Sequence, residues 1–169
     1  MNNIVLCGFM GCGKSTVGKA LAAKLGTDFI DMDKYIENTS DMLIIDIFGT
    51  LGEQTFRRLE TETAVVLSKR DSIVIAAGGG AALKEENVKA FKDGGKLVLI
   101  NVPLSVIKER LREDKTRPLL IRANKDKIML QLYVTRLPIY SNAADIIIDA
   151  GNRSPEDIAD EIIELCKTK

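Results

Sequence analysis

The chain has 169 residues, which suits one domain with a sizeable buried core. Its 24 lysines and arginines balance its 24 aspartates and glutamates, so no overall field attracts nucleic acid or an anionic membrane, and any anion binding must be local. No apolar run reaches the roughly 18 residues of a membrane span, and Met1-Asn2-Asn3 leads into a strand without a signal peptide, so we expect a cytoplasmic enzyme.

The first feature along the chain is a glycine-rich loop between a strand and a helix. The apolar run from Ile4 to Cys7 is of strand type, and the apolar spacing from Val17 to Leu25 is helical. The pattern G-x-x-x-x-G-K-[S/T] lies between them and is satisfied by Gly8, Gly13, Lys14 and Ser15. This order of strand, loop and helix predicts a nucleoside-triphosphate site; the alternative is a glycine turn of purely structural use.

Each residue type in the loop has a physical task. Backbone N–H groups between the glycines, from Gly11 to Thr16, can cradle phosphate oxygens at the positive end of the helix dipole. Lys14 supplies charge to the β- and γ-phosphates, and the Ser15 hydroxyl is suited to bind Mg²⁺. Cys12 is either a small residue that fits the turn or a thiol with a lowered pKa beside a bound anion.

Short apolar segments alternate with helical ones through the rest of the chain. Four further strands are predicted at 28–31, 73–77, 96–101 and 145–149. Because they are apolar on both faces, we expect buried parallel strands with helical crossovers on each side. The predicted fold is therefore α/β, a three-layer sandwich with a central five-stranded parallel sheet.

The predicted helices cover most of the remaining chain. They span 17–25, 52–70, from Pro103 to about Arg112, about 128–137, and from Pro155 to about Cys166. In the second of them Phe56, Leu59, Thr63, Val66 and Leu67 share one side. The segment at about 112–124 is basic, polar and without clear periodicity, which indicates a mobile lid beside a phosphate site.

An acidic pair follows the second strand. Asp31 and Asp33 are expected to close that strand with both carboxylates facing the same way, beyond the carboxyl end of the sheet where ligands bind. One carboxylate could hold Mg²⁺ through water and the other could accept a hydroxyl proton. The alternative is that the two acids mark the N-terminus of a helix.

Two further features indicate an acceptor site. Arg57 and Glu60 have i,i+3 spacing on a helix, so the guanidinium can be held as a fork for a carboxylate, or the two can form a surface ion pair. Gly78-Gly79-Gly80 ends the third strand, where three glycines favour a substrate lying against backbone N–H groups.

In combination these motifs resemble the shikimate kinases, small P-loop kinases of the nucleoside monophosphate kinase type. The resemblance covers nearly the whole chain and is carried by Gly8 to Ser15, Asp31-x-Asp33, Gly52-Glu53-x-x-Phe56-Arg57-x-x-Glu60, Gly78-Gly79-Gly80, Arg117-Pro118-Leu119-Leu120, Arg136-x-Pro138-x-Tyr140 and Arg153-x-Pro155. The first motif occurs in many NTPases, whereas the whole set in this order is highly specific.

The resemblance implies ATP and Mg²⁺ as cofactors and phosphorylation of the 3-hydroxyl of shikimate. It implies that Arg57 and Arg136 clamp the substrate carboxylate, and that Asp33 and the backbone of Gly78–Gly80 hold the ring hydroxyls. It also implies roles for six other residues: metal binding by Asp31 with Ser15, stabilisation of the transferring group by Lys14 and the lid residue Arg117, and contact with adenine by Arg110 and Pro155. Arg153, in the last motif, is expected beside the nucleotide.

Two departures from the family pattern are visible. Ser40-Asp41-Met42-Leu43-Ile44 stands where members carry a Gly-x-Ser/Thr-Ile turn, and Cys12 replaces the more usual serine. Residues at about 33–60 are still expected to form the substrate-binding helices of a single kinase domain. Because the chain has no histidine, Asp33 or no side chain at all is left as the base.

Two other functions stay open from the residues. One is a kinase of the same fold for gluconate or a nucleotide, which would need a different acceptor pocket. The other is a nucleotide-sensing module without turnover, which has no need of a lid arginine such as Arg117. Nothing in the sequence demands an oligomer, so a monomer is expected.

Overall fold

The sheet has five parallel strands in the order β2-β3-β1-β4-β5. The computed structural model describes residues 2–112 and 124–167. Its strands are β1 Asn3–Cys7, β2 Asp28–Asp31, β3 Ile73–Ala76, β4 Gly95–Asn101 and β5 Ile146–Asp149. The prediction of a three-layer α/β fold around a five-stranded parallel sheet is confirmed.

Central and edge strands differ in burial. β1 and β3 are buried along their whole length, as strands with helices on both faces must be. β5 lies at an edge and alternates instead, with Ile146 and Ile148 buried and Ile147 47% exposed. β2, at the other edge, is only partly buried. The expectation that every strand is buried on both faces is therefore wrong for the two edges.

Eight helices connect and flank the strands in the described ranges. They are α1 Lys14–Leu25, α2 Met32–Ser40, α3 Ile44–Asp46, α4 Glu53–Ser68, α5 Glu85–Gly94, α6 Leu104–Arg110, α7 Lys125–Ala143 and α8 Pro155–Lys167. A π-helical turn at Ile47–Leu51 joins α3 to α4, and a 3₁₀ turn at Ala81–Leu83 follows β3. α1 packs against α8, and α4 packs against α5.

Two local expectations are corrected. The second strand has its predicted bounds, but Asp33 does not close it, because Met32 already begins α2 and the Asp31 side chain accepts the N–H groups of Asp33 and Lys34 as an N-cap. On α4, Val66 is 48% exposed, and Glu60 is buried on the core side instead. The helix α5 was not predicted from sequence.

The helices beyond β2 have an apolar cluster of their own. Ile36, Ile47 and Phe56 are buried together, apart from the main core around the sheet. They come from α2, the π-helical turn and α4, so this cluster holds those three segments together on one side of the sheet. None of the described helices is long and apolar enough to cross a membrane.

Candidate active site

The glycine loop joins β1 to α1 at the carboxyl edge of the sheet. Gly13 caps α1 with φ of 97°, a left-handed conformation that favours glycine. At Gly11, where φ is +74°, an added Cβ would lie 2.9 Å from the Leu111 side chain. The sequence motif therefore builds a loop that places backbone donors before the N-terminus of a 12-residue helix, as phosphate binding requires.

Lys14 is held over the loop by backbone carbonyls. Its Nζ donates to the carbonyl oxygens of Gly8 at 3.0 Å and Phe9 at 3.3 Å, and it lies 3.8 Å from the Cys12 Sγ. The Cys12 side chain is 2% exposed and packs under Gly8, whose added Cβ would meet the sulfur at 2.9 Å. This packing supports the structural interpretation of Cys12, a small residue that fits the turn.

Ser15 and Asp31 meet across the sheet edge. The Ser15 hydroxyl donates to Asp31 Oδ2 at 2.6 Å, while Asp31 Oδ1 accepts the Asp33 N–H at 3.1 Å. One oxygen of Asp31 therefore caps α2, as the alternative interpretation expects, and the other accepts the hydroxyl of Ser15. A hydroxyl and a carboxylate are the hard oxygen ligands that suit Mg²⁺, which needs one or two protein ligands beside water and phosphate.

One cavity of about 870 Å³ connects the loop to the acidic pair. At one end it is lined by loop residues from Met10 to Thr16. At the other end its lining includes Asp31, Asp33 and Gly79. A triphosphate on the loop and a small acceptor beside Asp33 would share one continuous space.

The triple glycine is shaped mainly by protein side chains. A Cβ on Gly78 would lie 2.8 Å from carboxylate oxygens of Asp33 and Glu60, and a Cβ on Gly80 would clash with Arg57 Nη1. Apart from its chain neighbours, none of the described residues has an atom within 4 Å of the Cβ position of Gly79, which lines the cavity. The first and third glycines thus let charged groups approach the backbone, and the middle one opens to the cavity.

Arg57 lies between two carboxylates of its own helix. Its Nη1 donates to Glu60 Oε2 at 2.8 Å, and its Nη2 lies 3.2 Å from Glu53 Oε1. The predicted i,i+3 ion pair is therefore present, and the guanidinium is oriented by packing over Gly80. Glu53 is an additional partner that the spacing i,i−4 could have revealed.

Glu60 is the buried centre of this charge cluster, with 2% exposure. Burial raises the pKa of Glu60 above its ordinary 4.5, and the Asp33 charge adds to this, while Arg57 and Arg136 pull it down. Two guanidinium groups therefore act on one buried carboxylate next to the triple glycine. The structure brings together the two arginines that the sequence places 79 positions apart.

Tyr140 connects Arg136 to the triple glycine and was given no role from sequence. Its hydroxyl donates to the Gly79 carbonyl at 2.5 Å. Burial raises the pKa of Tyr140 to about 12, although the nearby charge of Arg136 pulls the value down. The sequence offered one signal for Tyr140, its place in the motif Arg136-x-Pro138-x-Tyr140, and that motif does not indicate the bond to Gly79.

Two arginines and a proline line the cavity near the glycine loop. Arg110 Nη2 donates to the Gly151 carbonyl at 2.7 Å and Nη1 to the Cys12 carbonyl at 3.2 Å, so it bridges the phosphate loop and the loop before α8. Arg153 pairs with Glu161, and Pro155 begins α8. All three of Arg110, Arg153 and Pro155 line the cavity.

Some predicted site residues lie elsewhere. Four of them lie around Glu60 and do not line the large cavity itself: Arg57, Gly78, Gly80 and Arg136. Arg117 and nearly all of the expected lid at 112–124 lie outside the described residues. The cavity lining also includes Lys34, Glu37 and Ile44, which were not predicted from the sequence. The apolar pattern of residues 32–46 did not show that α2 and α3 are two separate helices.

Comparison with known proteins adds independent findings. A family model described as shikimate kinase matches residues 10–167. The shikimate kinase of Thermodesulfovibrio yellowstonii is 42% identical over 164 residues, covering 97% of this chain and 94% of that protein. The shikimate kinase of Caldicellulosiruptor bescii is 40% identical over 165 residues, covering 98% of this chain and 95% of that protein.

A solved structure is also similar along the whole chain. The shikimate kinase from Acinetobacter baumannii in complex with shikimate has a TM-score of 0.94 and 36% sequence identity. The match covers 99% of this chain and 94% of that one.

Proposed function

This chain belongs to the shikimate kinase family, and from that premise we propose that it transfers the γ-phosphoryl group of MgATP to the 3-hydroxyl of shikimate. The products are 3-phosphoshikimate and ADP, on the route to chorismate and the aromatic amino acids. The enzyme is an ATP-dependent phosphotransferase with an alcohol as acceptor.

The continuity of the cavity is the observation that carries this proposal. A single space of about 870 Å³ runs from the phosphate loop to Asp33 and Gly79. Phosphoryl transfer depends mainly on aligning donor and acceptor and on neutralising charge, so a shared space is the first requirement. A binding module for a nucleotide alone would not need the acidic end.

At the acceptor end, charge and geometry suit a small hydroxylated carboxylate. Arg57 and Arg136 supply two guanidinium groups for the carboxylate; Glu60 forms an ion pair with Arg57, and the charge of Arg136 also acts on it. Asp33 and the backbone of Gly78–Gly80 receive the ring hydroxyls. Asp33 is the group that would orient or deprotonate the attacking hydroxyl.

At the donor end, loop N–H groups from Gly11 to Thr16 bind the phosphates. Lys14 stabilises the transferring group, and its amine needs only to turn from the Gly8 and Phe9 carbonyls to reach a phosphate. Ser15 and Asp31 would hold Mg²⁺, which supplies charge neutralisation on the phosphates. Adenine would lie between Arg110 and Pro155, with Arg153 beside it.

Two segments of the chain have proposed roles beside the phosphate loop. Residues at about 112–124 would form a lid whose Arg117 covers the phosphates, and residues at about 33–60 would form the substrate-binding helices. The separate apolar cluster of Ile36, Ile47 and Phe56 supports the second of these. The whole chain, 1–169, would act as a single P-loop kinase domain.

We further propose that the protein works as a monomer in the cytoplasm, without nucleic acid or membrane as partner. The three cysteines are free, which fits a reducing compartment, and the net charge of +0 offers no general attraction to polyanions.

ADP release tests the function directly. The assay couples ADP formation to NADH oxidation with ATP, Mg²⁺ and one acceptor at a time: shikimate, quinate, gluconate or a nucleoside monophosphate. We expect turnover with shikimate far above the rate with any other acceptor. No turnover on shikimate, or faster turnover on gluconate or a nucleotide, would reject the proposal.

A further inference from the structure

Tyr140 occupies an unusual place for a buried tyrosine. Its ring lies in the main core with 1% exposure, and α7 packs against the 3₁₀ turn that follows the triple glycine. Burying a phenol without a partner costs free energy, so its hydroxyl must find an acceptor. The acceptor is the carbonyl of Gly79, 61 positions away in the chain and on the lining of the cavity.

The carbonyls of the triple glycine are all used, and in two different ways. Those of Gly78 and Gly80 accept the N–H groups of Ala81 and Leu83 within the local turn. The Gly79 carbonyl goes to Tyr140 instead. The backbone conformation of this segment is therefore fixed from outside at one peptide group, between Gly79 and Gly80.

That peptide group determines where a backbone donor points. Peptide bonds in the described ranges are trans, and in a planar trans peptide the carbonyl and the following N–H point in opposite directions. Since Tyr140 holds the Gly79 carbonyl towards the core, the Gly80 N–H points away from the core. Within residues 2–112 and 124–167, no hydrogen bond uses that N–H.

Arg136 lies one helical turn earlier on α7, close enough for its charge to lower the pKa of Tyr140. The hydroxyl that orients the peptide group therefore lies near a guanidinium. Glu60 and Arg57 approach the backbone of Gly78 and Gly80, so this peptide group lies among charged side chains.

We propose that Tyr140 is a positioning residue for the acceptor: its hydroxyl fixes the Gly79–Gly80 peptide group, so that the Gly80 N–H is preset as a donor near the Arg136 guanidinium. This inference rests on the proposed function. It gives Tyr140 an indirect part in recognising the carboxylate and adjacent hydroxyl of shikimate. Tyr140 does not contact the reacting atoms. It removes the orientational freedom that the acceptor would otherwise have to restrict on binding.

The test compares Tyr140→Phe with Tyr133→Phe. Tyr133 lies on the same helix, and its hydroxyl likewise donates to a backbone carbonyl, that of Val102 at 3.0 Å, away from the cavity lining. Both substitutions remove one hydroxyl that donates to a backbone carbonyl, and both keep the ring. Tyr140 is the more buried of the two, so Tyr140→Phe should lose more stability, but a purely structural Tyr140 would leave the KM for shikimate unchanged in the folded protein, as in Tyr133→Phe.

We expect Tyr140→Phe to raise the KM for shikimate by about threefold to tenfold, the value of one buried hydrogen bond. The KM for ATP and kcat should change by less than about twofold, because the nucleotide end is untouched. Tyr133→Phe should leave all three constants at the wild-type values. Equal KM values for shikimate in the two variants would overturn the role of Tyr140.

A second measurement uses the wild-type protein, so it tests whether the Gly80 N–H binds the acceptor even if Tyr140→Phe does not fold. In wild-type protein labelled with ¹⁵N-glycine, the Gly80 amide resonance should shift on addition of shikimate and stay in place on addition of ADP. An unmoved Gly80 resonance would overturn the proposal. Failure of the wild type to phosphorylate shikimate would instead reject the proposed function, and this inference with it.

Discussion

Replacing Arg57 by alanine separates its proposed binding of the acceptor from its ion pair with Glu60. The structure assigns it a 2.8 Å bond to a carboxylate that is 2% exposed. Losing that partner leaves Glu60 buried next to Asp33, which should cost about 1–3 kcal/mol of unfolding free energy. Losing the guanidinium should also remove about 1.5–3 kcal/mol of shikimate binding, which weakens it about 10- to 150-fold.

Two companion variants distinguish these effects. In Arg57→Ala combined with Glu60→Gln, the buried charge is gone, so much of the lost stability should return while shikimate binding stays weak. In Arg58→Ala, the neighbouring arginine with its 70% exposed side chain and a partner at 3.8 Å is removed, and we expect no measurable change in either quantity.

Isothermal titration calorimetry with shikimate and, separately, with MgATP gives the two affinities, and urea unfolding gives the stability. We expect MgATP affinity to stay within about threefold of wild type in all three variants, since Arg57 does not line the nucleotide end of the cavity. Equal losses of both affinities in Arg57→Ala would refute the reasoning. So would recovery of shikimate binding in the double variant, because Arg57 would then act only through Glu60.

Two other predictions follow from the charge geometry. Asp31→Asn keeps an oxygen to cap α2 but loses the negative charge that we propose binds Mg²⁺. The Mg²⁺ concentration for half-maximal activity should therefore rise about tenfold or more, while the melting temperature changes little; an unchanged Mg²⁺ requirement would contradict this. Because burial raises the pKa of Glu60, its contribution to stability is full below its ordinary pKa of 4.5 and is lost as pH rises through the folded value. The free energy of unfolding of wild type minus that of Glu60→Gln should therefore fall as pH rises from about 4 to 7, and a rise would contradict the account.

Much of the sheet and the loop could be predicted because their signals are local. The apolar runs that became β1, β3 and β4 contain enough consecutive buried residues to exclude other structures. The glycine motif predicted its own geometry, since Gly13 adopts the left-handed conformation that the turn requires. The i,i+3 spacing of Arg57 and Glu60 likewise predicted their ion pair.

What could not be predicted depends on distant contacts or on weak patterns. α5 has few apolar residues, with Phe91 buried against the sheet, so its periodicity is hard to detect. Gly78 leaves space for the buried carboxylate of Glu60, and no local pattern in the sequence shows that. The bond from Tyr140 to Gly79 spans 61 positions, so it appears only in the folded chain.

The identity of the product tests the central claim most directly. After complete reaction of shikimate with MgATP, proton-coupled ³¹P NMR of the purified product should show one phosphate monoester coupled to the proton on carbon 3, formed one for one with ADP. A phosphate on another hydroxyl would contradict the proposed placement of the acceptor against Asp33. ADP formed with free phosphate and no phosphorylated shikimate would contradict the proposed function itself.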